Sequence, residues 1–430
     1  MKRYKTISKC KICDSTELTD VIHIPEQHLS ATFVEDNAKV EISKIKVPMT
    51  LTLCDRNKNP KGCGLLQLRE EVEADLLYRQ YFYRSAISQT MQDDLREVIT
   101  DIQSKIDLKP NDIVVDIGAN DCTMLGFYPK TFRRVGFEPA QNIDWSHVEK
   151  SIQVINNYFN AENFTTAFGK EKARVLSCCA MFYDISDPNS FVSQVRELMA
   201  DDGMWCMQLS YLPLMLDNMN FYDICHEHLS YYSLAALEIL MERNNLKIVD
   251  ASTNPVNGGS IRAFVTHKAN NKLTTAAGTA RLEALRAMEK KMNMTSTEVY
   301  MEFNQKIEAL SKKVRGYMQE QITKGGKVLG LGASTKGNVL IQLFGIDKKM
   351  MPAISERNPD KVGLRTLGTD IELISEQAAR DTKPATMLVL PWYFKDEIVK
   401  REKSYIESGG TLLFPMPYAH VITAQGELRL

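Results

Sequence analysis

Val114-Val115-Asp116-Ile117-Gly118-Ala119-Asn120-Asp121 is an apolar strand that runs into a glycine turn. About one crossover later, Val135-Gly136-Phe137-Glu138-Pro139 is a second short apolar run that ends at an acid. In an open α/β sheet this pairing holds a nucleoside. Backbone comes close at the first strand's tip, and a carboxylate at the second takes ribose hydroxyls. The glycines do not follow G-x-G-x-x-G, so a pyrophosphate cradle is not implied. Asp-x-Gly-x-Asn-Asp suits S-adenosylmethionine better, because that molecule has no pyrophosphate and brings an ammonium and a carboxylate to the turn.

The α/β pattern extends from about 106 to 265. Ala173-Arg-Val-Leu-Ser-Cys-Cys reads as a third strand ending near Met181-Phe182-Tyr183-Asp184, at the tip where ligands sit in such sheets. A helix is expected over 188–200 and a fourth strand over 204–209. Cys178, Cys179 and Cys206 lie inside apolar strands and read as small hydrophobes. Residues 71–105 read as helical, with Tyr78, Tyr81, Phe82 and Tyr83 either as a packed stripe or as one or two pocket tyrosines.

Tyr222-Asp-Ile-Cys-His-Glu-His-Leu-Ser-Tyr-Tyr-Ser233 places His226-Glu227-His228 between aromatic and apolar neighbours, in a chain with only 7 histidines. Proton abstraction needs a base that titrates near neutral and a partner that orients it. The bland alternative is a hydrogen-bonded turn with a satisfied core histidine. A zinc pair fits less well, for lack of H-E-x-x-H spacing. In Asn257-Gly258-Gly259-Ser260-Ile261-Arg262, adjacent glycines allow a close approach of backbone to ligand or a plain hairpin turn. Arg262 is a phosphate ligand or a surface group.

Cys10-Lys-Ile-Cys13 is a C-x2-C pair, followed by Cys54 and Cys63 with Gly62 and Gly64 beside the last. Four thiolates make a closed tetrahedral zinc site, which gives a segment with little core of its own the free energy to fold. His23 or His28 could replace one thiolate. At the other end, Gly326-Lys-Val-Leu-Gly-Leu-Gly-Ala-Ser-Thr-Lys-Gly-Asn338 is again strand, glycine turn and helix start. It is no Walker A loop, since the spacing differs and Lys336 is not followed by Ser or Thr. Strands at 386–390 and 411–414 continue this unit, with Leu390-Pro391-Trp392-Tyr393 near the ligand side.

The chain of 430 residues is too long for one core, so two or three domains are expected. With 53 basic and 54 acidic residues the formal net charge is -1, which argues against a nucleic-acid partner. No run reaches membrane-spanning length, and the basic start lacks an apolar segment for secretion. Nine cysteines, an odd number, suit a reduced cytoplasmic setting.

Taken in order, these motifs resemble the S-adenosylmethionine-dependent sugar C-methyltransferases that act on nucleotide-linked 4-keto-6-deoxyhexoses. The resemblance is carried by Cys63-Gly64-Leu65-Leu66-Gln67-Leu68, Tyr81-Phe82-Tyr83-Arg84-Ser85, Ile117-Gly118-Ala119-Asn120-Asp121 and Gly136-Phe137-Glu138-Pro139. His226-Glu227-His228-Leu229-Ser230-Tyr231, Gly258-Gly259-Ser260-Ile261-Arg262, Gly332-Ala333-Ser334-Thr335-Lys336-Gly337-Asn338 and Leu390-Pro391-Trp392 complete it. It implies a multidomain α/β protein: a zinc-binding domain over 1–70, a methyltransferase domain over 71–274 with a leading helical segment 71–105, a helical linker over 275–324, and a second Rossmann-like domain over 325–430.

Carried over residue by residue, Cys10, Cys13, Cys54 and Cys63 hold structural zinc. Asp116, Gly118, Asn120, Glu138, Tyr83 and Met181 contact S-adenosylmethionine. His228 is the base, with Glu227 and His226 beside it, and Asp184, Cys225, Asn257, Arg262, Lys336 and Trp392 face a small-molecule nucleotide sugar. The oligomeric state, monomer or dimer, stays open. The chain departs from the family pattern at Cys225, where many members have tyrosine. Asp184 and Asn257 stand where many have histidine, and Asp116 where glutamate is common. Methylation of a hydroxyl or a non-sugar ketone, and a non-catalytic scaffold, are the competing readings.

Overall fold

The computed structural model describes residues 3–79 and 83–430, so Tyr81 and Phe82 of the aromatic cluster lie outside the described residues. Ile113–Ile117 is buried along its whole length, as a strand covered on both faces must be. It lies inside a seven-stranded sheet ordered Leu246–Asn254, Ser260–His267, Met199–Ser210, Ala173–Cys179, Ile113–Ile117, Arg133–Phe137, Ile152–Ile155. The last five are parallel, and Ser260–His267 runs antiparallel to both its neighbours. From Ile113–Ile117 the chain builds outward on one side, then crosses to Ala173–Cys179 on the other. The crevice at that reversal is where an α/β sheet binds its ligand.

A nine-stranded sheet repeats the plan. Its parallel core is Thr411–Phe414, Thr386–Val389, Val328–Leu331, Ala353–Glu356 and Glu372–Ser375, with the order reversing beside Val328–Leu331. Helix Glu298–Thr323 buries Tyr300, Phe303, Ile307, Leu310, Val314 and Met318, three or four residues apart, as a single apolar stripe. That stripe joins Ile22, Met49 and Leu51 near the amino terminus to Val328, Leu340 and Leu388 in one continuous core.

The amino-terminal strands are woven into the rest. Leu18–Gln27, Val47–Cys54 and Leu66–Leu68 form an antiparallel sheet whose fourth strand is Ser230–Tyr231, directly after the His-Glu-His segment. Phe33–Val34 pairs with Arg365–Thr366 and completes the edge of the nine-stranded sheet. The stretch 71–105 is helical only in part. Glu70–Val72 is a strand paired with Tyr4–Thr6, Ala74–Tyr78 is a short helix, and the long helix Gln89–Lys105 begins where the Ser88 hydroxyl accepts the Met91 N–H at 3.4 Å. Tyr83, Arg84, Ser85 and Ile87 line a cleft rather than a core, so no continuous stripe joins the short helix to the long one.

Cys10, Cys13, Cys54 and Cys63 converge with all four sulfurs within 4.8 Å of one another. Cys10 Sγ lies 3.3 Å from Cys63 Sγ, and Cys13 Sγ lies 3.5 Å from Cys54 Sγ. Tetrahedral Zn–S bonds put sulfurs about 3.8 Å apart, so the group fits zinc. Thiols this close cannot all ionise without a cation between them. The Cys54 thiol and burial push Cys10 up to about 12, while Cys63 pulls Cys13 down to about 6. Neither His23 nor His28 belongs to the group. Joint replacement of Cys10 and Cys13 by serine is expected to release zinc and cost several kcal/mol of stability. Metal content by a chromogenic chelator and the thermal midpoint check this; full stability with unchanged metal would remove zinc from the site.

Candidate active site

A cavity of about 900 Å³ runs between the tips of the two parallel sheets. Its first wall is the turn after Ile113–Ile117. Gly118 sits at φ +73°, and its N–H and that of Ala119 both donate to the Phe137 carbonyl, at 2.9 and 3.0 Å. Asn120, itself left-handed at φ +50°, donates its N–H to Glu138 Oε2 at 2.9 Å, and Ala140 N–H reaches Oε1 at 2.8 Å. Glu138 is therefore aimed by backbone, and each of its oxygens keeps a lone pair for a hydroxyl. Burial raises its carboxyl above the usual range. Asp116 accepts from Ser177 Oγ at 3.1 Å, and burial, with Glu138 adding, pushes it up to about 8. The Asn120 amide clasps the 83–85 backbone, donating to the Tyr83 carbonyl at 3.0 Å and accepting Ser85 N–H at 3.1 Å. Met181 packs against Gly118, where a Cβ would meet its Cγ at 3.1 Å. The six residues expected to hold the cofactor all line this cavity.

His228 and Glu227 line its centre. The Leu229 N–H donates to the Tyr183 carbonyl at 2.9 Å, and the His228 ring lies 4.0 Å from the Tyr183 ring. Burial, then the Lys336 cation, hold the imidazole well below its ordinary pKa, so it is neutral at physiological pH. Glu227 accepts Ser30 Oγ and Ala31 N–H, each at 3.2 Å, and Tyr78 OH donates to the Glu227 carbonyl at 3.1 Å.

The third wall belongs to the nine-stranded sheet and resembles the first. Gly332, at φ +78°, donates its N–H to the Ser355 carbonyl at 2.8 Å. Glu356 Oε2 accepts Ala333 N–H at 2.8 Å, and Oε1 accepts Arg357 N–H at 2.9 Å and Asn358 N–H at 2.8 Å. Ser334 Oγ caps helix Thr335–Leu343 by accepting Gly337 N–H at 2.9 Å. Lys336 pairs with the buried Asp223 and reaches the Asn257 carbonyl at 3.4 Å. Arg84, Arg357, Lys361 and Arg401 also border the cavity, with Arg357 paired to Glu397 and Arg401 to Glu376 and Glu402.

Asp184, Asn257 and Lys336 thus face the cavity as expected, but four of the expected site residues do not. His226 is fully buried behind it, its Nε2 3.1 Å from the Val47 carbonyl, and burial pushes it down to about 4. Arg262 is neither a surface group nor a phosphate ligand. It lies beneath the sheet, bonded to Gln208 Oε1 at 2.8 Å and Asp94 at 3.0 Å, and paired with Asp101. Cys225 is sealed in the core, and Trp392 packs against it while Pro391 and Tyr393 on either side reach the cavity. Sequence reasoning missed Glu356, although Ala353-Ile354-Ser355-Glu356 carries the same signal as Glu138, an apolar run ending at an acid. It also missed Tyr183, which only the fold brings onto His228.

Three family models match successive stretches of the chain: a zinc binding domain over 10–78, a methyltransferase domain over 83–251 and a C-methyltransferase C-terminal domain over 255–417. The chain is 29% identical over 430 residues to the C-methyltransferase NovU of Streptomyces niveus, covering 99% of each. Among solved structures, an S-adenosylmethionine-dependent methyltransferase of Clostridium acetobutylicum is 11% identical, with 41% of this chain and 92% of that chain covered at a TM-score of 0.33. Magnesium protoporphyrin IX methyltransferase of Synechocystis PCC 6803 with bound SAM is 10% identical, with 41% and 79% covered at a TM-score of 0.31. The chain is an S-adenosylmethionine-dependent C-methyltransferase with a four-cysteine zinc site.

Gly118→Val would force a branched side chain into a left-handed turn and push Met181 into the cavity. Strain of about 1–3 kcal/mol predicts a roughly 5- to 150-fold loss of S-adenosylmethionine affinity by calorimetry, with zinc retained. Unchanged affinity would take the cofactor off this wall.

Proposed function

We propose that this C-methyltransferase acts on a nucleotide-linked 4-keto-6-deoxy sugar and methylates the ring carbon beside the ketone, C3, through an enolate. The observation that carries the reading is one cavity lined by a neutral buried histidine and by two strand-tip sites, each with a glycine turn and a backbone-aimed acid. One tip suits the adenosyl part of the methyl donor. The other, with its basic border, suits the nucleotide of the substrate.

In this reading Glu138 takes the ribose hydroxyls of S-adenosylmethionine, while Asp116, Asn120 and the Gly118 turn take its methionine end. Tyr83 and Met181 close over it. Bound there, it supplies an electrophilic methyl group on a sulfonium. Lys336 and Asn257 border the substrate half.

The ketone acidifies the hydrogen on the adjacent carbon. His228 is the base that removes it. Burial and Lys336 keep the imidazole neutral and able to accept a proton, and they also hold its basicity below that of a base titrating near neutral, so the step leans on stabilisation of the enolate. Glu227, pinned by Ser30 and Ala31, fixes the segment that carries His228. The rest of the acceleration comes from alignment of the two reactants in one cavity. Zinc, at the four thiolates, takes no part in the chemistry.

The test is mass spectrometry of the purified protein with S-adenosylmethionine and a panel of nucleotide-linked 4-keto-6-deoxy sugars. The expected product gains the mass of one methylene on the sugar fragment, and the gain survives reduction of the ketone. No gain across the panel by a protein that binds the cofactor would sink the substrate class. His228→Asn is expected to lower turnover by a factor of about 10²–10⁴ while cofactor affinity stays within about twofold. Loss of cofactor binding instead would remove His228 from the base role.

A further inference from the structure

Asp184 ends the turn Phe182–Asp184, which follows strand Ala173–Cys179 at its tip. Its N–H donates to the Met181 carbonyl at 3.0 Å, and the preceding Tyr183 carbonyl accepts Leu229 N–H at 2.9 Å. The turn is therefore bonded both toward the cofactor wall and to the segment that carries the base. Asp184 lines the cavity with His228 and Lys336, yet its Oδ1 is closed off from solvent and has no hydrogen-bond partner. An ionised carboxylate spreads its charge over both oxygens and needs donors at each. A neutral carboxyl does not: Oδ1 is then a carbonyl oxygen, and Oδ2 carries a proton that can be donated.

The groups around Asp184 favour that form. Glu227 and Cys225 act on it from the neighbouring segment, and the His228 ring lies 4.0 Å from the ring of Tyr183, the residue before Asp184. Tyr78 approaches from helix Ala74–Tyr78, and Lys336 from helix Thr335–Leu343, its charge already committed to Asp223. Burial and Glu227 hold the carboxyl well above the usual carboxylate range, against the opposing pull of Tyr78 and Lys336.

We propose that Asp184 is a protonated carboxyl that donates a hydrogen bond to the carbonyl oxygen of the substrate and stabilises the enolate formed when His228 removes the adjacent proton. This role rests on the enolate reading of the site. In the step, the C–H proton passes to the His228 ring and the C–H electron pair becomes the C=C bond. The carbonyl π pair comes to rest on oxygen, where the Asp184 O–H meets it without transferring its proton. A preorganised donor held in a protein cavity is worth more than the same donor in solution.

The test separates this step from methylation. With S-adenosylhomocysteine in place of the methyl donor, the full-length protein is given substrate in deuterium oxide, and exchange at the carbon beside the ketone is followed by mass spectrometry. Asp184→Ala is expected to slow exchange by a factor of about 10²–10³. Asp184→Asn keeps the shape and a donor but cannot ionise. It is expected to retain part of the rate and to lose the fall in exchange that wild-type protein shows at high pH, when Asp184 gives up its proton.

Affinity for S-adenosylhomocysteine is expected to stay within about twofold in both variants; its loss would make Asp184 a part of the fold and overturn the proposal. Exchange by Asp184→Ala at the wild-type rate, or an alkaline fall that survives in Asp184→Asn, would overturn the role of Asp184 and leave the enolate standing. A wild-type protein that methylates carbon without exchange would overturn the enolate and this role together.

Discussion

The ion pair between Lys336 and Asp223 is the interaction on which the geometry of the cavity turns. Lys336 is on the first turn of helix Thr335–Leu343, beside the nine-stranded sheet, and Asp223 is in the turn Phe221–Asp223 ahead of the histidine segment. The Asp223 side chain is 0% exposed and that of Lys336 only 12%. Two charges this deep lose most of their hydration, and losing one partner costs about 3–5 kcal/mol because the other is left bare. Burial works against the Lys336 cation, but Asp223 more than offsets it and holds the lysine above its ordinary value. The pair therefore clamps two walls that no β-ladder joins at that point. It also places a fixed positive charge near His228, which helps keep the imidazole neutral. Tyr222 and Tyr393, with ring centroids 5.9 and 5.6 Å from Lys336 Nζ, enclose the cation.

Around that clamp the two α/β sheets solve one problem in the same way. Each must stop a buried strand at a ligand without leaving backbone N–H groups unpaired. In each, a left-handed glycine turns the chain, its N–H bonds a carbonyl near the end of the next strand, and an acid at that strand's end collects further N–H groups. The acid is thus a structural acceptor first. What remains of its hydrogen-bonding capacity faces the cavity, and a carboxylate held rigidly from behind loses little entropy when a hydroxyl arrives.

The parts legible in the sequence were those set by local pattern. Apolar runs ending at glycine or acid placed the strands Ile113–Ile117, Arg133–Phe137 and Val328–Leu331, because a strand buried on both faces leaves a continuous apolar signature. Four cysteines in two pairs placed the metal group. What local pattern could not reach was direction. His226 and His228 are two residues apart in an irregular turn, and nothing in the tripeptide says which ring meets the cavity and which meets the Val47 carbonyl. Arg262 shows the same limit. Beside two glycines it reads as a ligand for phosphate, yet it alternates onto the buried face of strand Ser260–His267 and neutralises Asp94 and Asp101 on helix Gln89–Lys105. A charge that answers to an element about 160 residues away is invisible until the chain is folded. The helix expected across 71–105 failed for the complementary reason: Tyr83, Arg84, Ser85 and Ile87 face the ligand space, so they owe no periodicity to a core.

The zinc group is far from the chemistry in role but not in connectivity. Cys54 closes strand Val47–Cys54, and Cys63 stands three residues before strand Leu66–Leu68. Lys11, between the first two cysteines, donates its N–H to Gln67 Oε1 at 3.0 Å. Leu66–Leu68 in turn takes Ser230–Tyr231 as its antiparallel neighbour, and Leu68 N–H donates to the Leu229 carbonyl at 2.9 Å, one residue from His228. On the other side, Ser30 and Ala31, on the chain that leaves strand Leu18–Gln27, grip the Glu227 carboxylate. The segment that carries His228 has little regular structure of its own: two residues of strand, then the start of helix Leu234–Arg243. Its position is borrowed from a sheet that four thiolates tie together at one end. In the proposed reaction, a metal that takes no part in the chemistry fixes in this way the angle at which the His228 imidazole meets the substrate.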